Sequence, residues 1–463
     1  MTTLDRIIHD AWQGGTLEAL KDFIRIPAKS SAFDSAWKEN GHLMTALEQA
    51  RRWGLEHFPG ATFEILESPD FPPALFVDIK ATGTNERPVF YYGHLDKQPE
   101  TAHEGWEPWT PVVREDRLYG RGAVDDGYSF YAALTAAAAL DEAGLPRPRV
   151  TGLFETNEES GSEGLEHYID EVARRVKDPA YVAILDLGAM NLKRLWLTRS
   201  LRGALCLTVK VQVLDTAVHS GFGSGLAPDS FRIMRSLLSR IEDESTGRIL
   251  LPELQAELPE SVEKQMRLLI EDGYDPRFGI NWHGGTRPCH EDPFETLKAS
   301  CWDPTLTVVG AEGLPSIENA GVLIRASTSL RLSIRIPPVV DGEKAIKAVV
   351  AAFTTDVPYG ASVTVSQVSA SSGFLAEDLE GPVGKAVEKI SCEVFKADPG
   401  YIFCGASIGT LPLFGRAFPR APFINTGALA PDTNAHAPFE YLPLGYVEKL
   451  TLFLAELMHS MEE

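Results

Sequence analysis

Apolar residues fall in two rhythms along the first half of this chain. Continuous runs, Val89–Tyr92, Val150–Phe154 and Tyr181–Leu185, alternate with stretches of helical spacing, Tyr128–Ala143 and Gly164–Val176. Short unbroken apolar runs suit strands buried on both faces, and their alternation with helices predicts βαβ units in a parallel or mixed sheet. An opening helix over Thr16–Ile26 and strands at Thr62–Leu66 and Ala74–Ile79 precede them. From Leu205 the rhythm changes. Leu205, Leu207, Val209, Val211 and Val213 alternate with polar neighbours, and Leu330, Leu332, Ile334 and Ile336 do the same before Pro337-Pro338. Such alternation reads as half-buried strands. Amphipathic helices at Asp229–Ile241, with Asp229 as N-cap, and at Glu343–Phe353, with a strand at Ser362–Val368, complete a smaller α+β unit. Glu242–Val308 is weakly periodic and reads as an insertion within it. After Gly373 the pattern returns to helices at Val383–Phe395 and Leu444–Met461.

Length and composition narrow the class. At 463 residues the chain exceeds one ordinary core, so two domains are expected. Hydrophobic content of 44% and charged content of 23% are those of a globular protein. A formal net charge of −22 argues against nucleic acid and against an anionic membrane surface as partners. The amino terminus, MTTLDRIIHDAWQGG, has no signal-peptide core, and the apolar helix Tyr131–Leu140 is too short to span a bilayer. Cys206, Cys289, Cys301, Cys392 and Cys404 form no CxxC pair, which fits reduced thiols and a cytoplasmic location.

The chemistry sits where the strands end. His94 and Asp96 lie in YYGHLDKQP, Glu158 and Glu159 in ETNEESGS, and Asp186 in AILDLG, while Asp125 precedes a helix in GRGAVDDG. In a parallel sheet the carboxyl ends of strands share one edge, where ligands bind. Imidazole with several carboxylates suits zinc and its transition-row neighbours, so the set reads as a two-metal hydrolase site. Asp96, two residues from His94 in an extended segment, can accept the second ring N–H and fix the tautomer. Asp125 can bridge two cations. Adjacent Glu158 and Glu159 repel unless a cation neutralises them; one can bind metal while the other takes a proton from water. A surface histidine, an N-cap aspartate and a solvated acidic loop are the ordinary readings of these signals taken singly. His436 lies in NTGALAPDTNAHAPFE. If it shares the cleft, residues 1–204 and 373–463 form one discontinuous domain with 205–372 inserted. His219 in DTAVHSGFGSG can donate to an oxyanion, Arg335 in RLSIRIPP can clamp a carboxylate, and Ser407 in FCGASIGT can hydrogen-bond to substrate.

YYGHLDKQP, LYGRGAVDDG, ETNEESGSEG, the strand-end Asp186, HSGFGSG, SIRIPP and AHAPFE occur in the order found in the M20 family of dinuclear zinc peptidases, and the chain resembles its carnosinase-like, cytosolic non-specific dipeptidase branch. The resemblance implies a mixed-sheet catalytic domain with an inserted α+β lid and dimerisation domain, two Zn²⁺ per subunit with Mn²⁺ as an alternative, and a homodimer. It implies His94, Asp125, Glu159, Asp186 and His436 as metal ligands with Asp125 bridging, Glu158 as general base and Asp96 as partner of His94. His219 is similar to a histidine that reaches the partner subunit's active site; Arg335 and Ser407 resemble residues that hold the free carboxylate of a small peptide. The chain departs from the family pattern at Gly127-Tyr128, at Gly321–Ile324 and at Pro438-Phe439-Glu440, places that bear on the substrate pocket rather than the ligands. The expected activity is dipeptide hydrolysis. An N-acyl amino acid deacylase or carboxypeptidase on the same scaffold is the alternative, and a metal-binding protein without turnover the third reading.

Overall fold

Six residues in a row, Val89–His94, are buried, as a strand covered on both faces requires. In the computed structural model, which describes residues 2–407 and 409–462, this strand lies inside a six-stranded sheet. The order across it is Thr62–Leu66, Ala74–Ile79, Val150–Glu155, Val89–His94, Val182–Ile184 and Phe423–Asn425. The first two joints are antiparallel and the other three parallel, so the sheet is mixed, as the alternating pattern predicts. Phe90 and Tyr92 point to one face, where their rings meet Phe414 at centroid distances of 5.8 and 4.7 Å. Tyr91 and Gly93 point to the other, toward the helix Tyr128–Ala143. That helix is apolar around most of its circumference, and the helices Thr3–Gln13 and Leu444–Ser460 cover it in turn.

The chain divides into two compact units. One comprises Met1–Arg199, Ala376–Ile402 and Gly409–Glu463; the other comprises Ser200–Leu375 and Phe403–Ile408. The second is an antiparallel sheet in the order Thr305–Glu312, Ser327–Ile336, Gly203–Gln212, Ser362–Ser371. Leu205, Leu207, Val209 and Val211 share one buried face with Leu330, Leu332, Ile334 and Ile336. The helices Ser230–Leu238 and Gly342–Thr354 pack on that face, capped by Asp229 and Asp341. Each buried aliphatic side chain stabilises the unit by about 1.5–3 kcal/mol.

Several elements differ from the sequence reading. The helices Thr3–Gln13 and His42–His57 were not among the expected elements. Glu242–Val308 is more ordered than its weak periodicity suggests: it holds helices Glu260–Glu271 and Pro293–Cys301, and its end runs into the edge strand Thr305–Glu312. An edge strand with little buried surface need not alternate, and its residues are mostly exposed. Trp302, fully buried with its ring N–H donated to the Ala256 carbonyl at 3.1 Å, anchors this segment. Among the described residues, no helix is long and apolar enough to cross a membrane, and all five cysteines are unpaired.

Leu332 is fully buried in the core of the second unit. Leu332→Ala should therefore cost about 2–5 kcal/mol, read as a lower urea midpoint; an unchanged midpoint would contradict this packing.

Candidate metal centre

Three adjacent parallel strands deliver the site. His94 ends the strand Val89–His94, Glu158 and Glu159 sit in a turn just beyond Val150–Glu155, and Asp186 lies two residues past Val182–Ile184. Register places His94 opposite Glu155 and Tyr92 opposite Ile184, so these ends converge. Asp125 comes from the turn Ala123–Gly127 that leads into the helix Tyr128–Ala143. Gly93 permits this approach: a Cβ there would lie 2.0 Å from Ser129 Oγ and 2.6 Å from Asp126 Oδ2. Asp126 Oδ2 instead accepts the His94 backbone N–H at 3.1 Å, tying the turn to the strand end. His436 arrives from a loop in the last segment of the same unit.

These residues form two donor triads that share one carboxylate. His94, Asp125 and Asp186 offer ligand atoms within 4.8 Å of one another, and so do Asp125, Glu159 and His436. Asp125 Oδ1 lies 3.1 Å from His94 Nε2, and Asp125 Oδ2 lies 2.8 Å from His436 Nε2. One oxygen thus serves each triad. Glu159 Oε2 is 3.1 Å from His436 Nε2, and Asp186 Oδ2 is 3.7 Å from His94 Nε2. On the far side of its ring, His94 Nδ1 faces the Asp96 carbonyl at 3.1 Å and Asp96 Oδ1 at 3.3 Å. The Asp96 carboxylate also accepts the backbone N–H groups of Glu158 and Glu159 at 3.2 and 3.0 Å. It therefore orients the His94 ring and the turn bearing the glutamates together.

The electrostatics call for cations. Asp96, Asp125, Asp186 and Glu159 find ion partners only in His94 and His436 among the described residues. Glu159 Oε1 is buried with no hydrogen-bond partner. Lys97, three residues from His94, turns away and donates to the carbonyls of Phe23, Ile24 and Ile26. Burial alone would lower the His94 pKa, yet Asp186, Asp125 and Asp96 hold it well above the ordinary value. Hydrogen bonds to Asp125 and Glu159 push His436 up to about 10. Burial pushes Glu158 up to about 8 and Asp186 well above the ordinary range. All four shifts are those of a cluster that favours added positive charge, and imidazole with carboxylate is a donor set that suits divalent cations.

A family model described as peptidase family M20/M25/M40 matches residues 90–460. The chain belongs to peptidase family M20/M25/M40. A Cys-Gly metallodipeptidase of Schizosaccharomyces pombe is 28% identical over 284 residues, a match that spans only 60% of either chain. A cysteinylglycine-S-conjugate dipeptidase of Corynebacterium striatum is 24% identical over 416 residues, 89% of each chain. The crystal structure of human carnosine dipeptidase 1 aligns over 100% of both chains with a TM-score of 0.70 at 21% identity, a likeness of fold.

In this member of the M20/M25/M40 family, a buried ion pair outside the expected site residues locks the two halves of the centre. Arg121 Nη1 meets Glu440 Oε2 at 2.6 Å, with side chains 1% and 0% exposed. Glu440 Oε1 accepts the backbone N–H groups of Val124 and Asp125 at 3.2 and 3.4 Å, and its carbonyl accepts the Gly120 N–H at 3.1 Å. The His436 loop needs such an anchor, because Asn434, His436 and Phe439 all adopt left-handed backbone, with φ of 56°, 63° and 62°. Tyr128 is a second pin: its hydroxyl donates to the Leu185 carbonyl and accepts the Ala428 N–H at 3.0 Å. It stands where the family pattern departs after the paired aspartates. Gln98 donates to Glu159 Oε2 at 2.6 Å. Glu440 and Tyr128 were visible in sequence only as such departures, and Gln98 only as a member of YYGHLDKQP with no role assigned.

The other expected site residues belong to the second unit. His219 is exposed at the end of a short strand, where its Nδ1 accepts the Gly221 N–H at 3.1 Å. Arg335 Nη1 donates to Ser407 Oγ at 2.8 Å, and that hydroxyl donates in turn to the Arg202 carbonyl at 2.5 Å.

Cation binding must displace the His436 proton. Calorimetric titration of the stripped protein with Zn²⁺ at pH 7 should show proton release, and apparent affinity should fall as the pH is lowered. The dependence flattens only above about 10, where the ring is already neutral; a pH-independent affinity would contradict this. Glu440→Gln removes the buried charge that faces Arg121 and should weaken metal retention by about 10–100-fold, measured by metal content after graded chelation.

Proposed function

We propose that this protein is a metallodipeptidase that hydrolyses the peptide bond of small peptides with a free carboxylate. The observation that carries the reading is the Asp125 carboxylate, whose two oxygens each face a different histidine-bearing triad. His94, Asp186 and Asp125 would hold one divalent cation, and Asp125, Glu159 and His436 a second, with Zn²⁺ the proposed ion and Mn²⁺ the alternative. Such a pair supplies Lewis acidity toward a peptide carbonyl and toward water.

The remaining steps belong to the protein's own groups. Glu158 is half-buried, and its carboxyl lies outside both triads, so it is free to act on protons. In the proposed reaction Glu158 takes a proton from water as the water oxygen bonds to the scissile carbonyl carbon. It returns that proton to the amine as the C–N bond breaks. The Asp96 carboxylate, accepting the Glu158 and Glu159 amides, keeps this base and the His94 ring in register. His219 would donate to the developing oxyanion, and the Arg335–Ser407 pair would receive the substrate carboxylate, setting a preference for short peptides. Within this reading the first unit is catalytic, and the second serves as lid and dimerisation domain of a cytoplasmic homodimer. The S. pombe and C. striatum relatives support cysteinylglycine-type dipeptides as first candidates, and the likeness to carnosine dipeptidase makes β-alanyl-histidine worth including.

The test is turnover by Zn²⁺- or Mn²⁺-loaded protein on Cys-Gly, β-alanyl-histidine, a tripeptide and N-acetyl amino acids, with a chelated control. Metal-dependent cleavage of dipeptides is expected. Cleavage of N-acyl substrates alone would move the activity to deacylation, and no turnover would leave a metal-binding protein. Glu158→Gln should retain metal while kcat falls by about 10²–10⁴-fold; a variant with near-normal kcat would sink the assignment of the base.

A further inference from the structure

The first unit also holds a cavity of about 420 Å³ on one face of a small three-stranded sheet. Its strands are Val112–Arg114, Arg117–Tyr119 and Tyr441–Pro443. The register explains the floor. Val112 lies opposite Tyr119, Arg114 opposite Arg117, and Tyr119 opposite Tyr441, so alternate residues present their side chains to the same side. Trp106 and Phe439, with ring centroids 5.6 Å apart, contribute aromatic walls from two loops. The volume lies within the range of roughly 300–1,000 Å³ in which small-molecule sites fall.

The charges are unusual for this chain. Arg114 and Arg117 face each other directly across the hairpin, where like charges destabilise. Acidic residues outnumber basic ones 65 to 43, yet neither guanidinium forms an ion pair among the described residues. Arg117 rests over the Tyr441 ring at 4.4 Å. Of the two carboxylates in the lining, Asp432 already accepts the Tyr441 hydroxyl at 2.8 Å, and Glu107 is exposed. Arg117 also shares a hydrogen bond with the Tyr119 side chain and feels Asp432, but neither guanidinium holds a carboxylate of this chain in an ion pair. Two forks beside flat apolar walls match a specific chemistry: a carboxylate for the forks and a ring for the walls.

We propose that this cavity binds an organic carboxylate with a flat aromatic body, its carboxylate held by Arg114 and Arg117 and its ring set against Trp106 and Phe439. Phe439 lies three residues from His436 in the same loop, so the bound ligand would rest on the segment that carries a metal ligand. The proposal does not depend on the dipeptidase reading. Two sources share the chemistry: a free aromatic acid, and an aromatic amino acid, which brings an ammonium group as well.

Calorimetric titration of the metal-loaded protein with naphthalene-2-carboxylate, tryptophan and uncharged 2-naphthamide tests it. The carboxylate is expected to bind, and the amide to bind at least about tenfold more weakly. Arg114→Gln and Arg117→Gln should each weaken carboxylate binding by at least about tenfold, whereas Arg335→Ala should leave it unchanged. Should Arg117→Gln fail to fold through loss of its stacking on Tyr441, Arg114→Gln, on the exposed hairpin, carries the test. Tryptophan binding with comparable affinity supports an amino acid as the natural occupant; binding of the free acid alone supports the other source. No binding by the carboxylate, equal binding by the amide, or binding lost in Arg335→Ala but kept in Arg114→Gln would each overturn the proposal.

Discussion

The centre of this molecule is organised by one carboxylate serving two sets of ligands. Asp125 directs one oxygen to His94 and the other to His436, residues separated by most of the chain. Around it, further carboxylates lie buried or half-buried, and among the described residues no lysine or arginine pairs with Asp96, Asp186 or Glu159. Buried like charges are tolerated only when cations or protons compensate them. The raised proton affinities of His94, His436, Glu158 and Asp186 are four expressions of that single condition. Much of the surrounding architecture serves to keep Asp125 where both histidines can reach it.

Three devices hold it there. Gly93 leaves the space through which the turn bearing Asp125 approaches the strand end. Asp126 and Tyr128, on either side of Gly127, tie that turn to His94 and to the chain just before Asp186. Glu440 accepts the Asp125 amide and pairs with Arg121, joining the turn to the loop that carries His436. A buried ion pair is a weak source of stability, because desolvation offsets most of the attraction, but removing one partner is costly. That asymmetry suits a pair whose task is geometric. The left-handed residues of the His436 loop have a backbone cost of their own, and the Arg121–Glu440 pair closes the loop's base against it.

The second unit rests on simpler physics. Its core is the burial of alternating aliphatic residues under two helices, and the candidate site residues it carries sit at strand ends and in loops. His219, Arg335 and Ser407 occupy such places, so their chemistry can vary without disturbing the sheet. The same logic applies to the cavity beside the hairpin Val112–Tyr119: its floor is fixed by strand register, while its walls come from loops free to change.

Strand positions, the alternating face of the second unit and the helix caps at Asp229 were legible in the sequence, because each depends on local periodicity or on a side chain bonding its own backbone. So were His94, Asp96, Asp125, the paired glutamates and Asp186 as candidates, since all sit at or near element ends that such periodicity marks. What the sequence could not supply was partnership across distance. No local pattern pairs Arg121 with Glu440 or turns Lys97 toward the end of the first sheet-covering helices. None shows that Glu242–Val308 ends in an edge strand, for an edge with one exposed face carries little hydrophobic signal. Composition and periodicity determined which elements form and which residues can carry chemistry. The tertiary structure alone decided which carboxylates stand together without a counter-charge, because that depends on where separate segments meet once the sheet has closed.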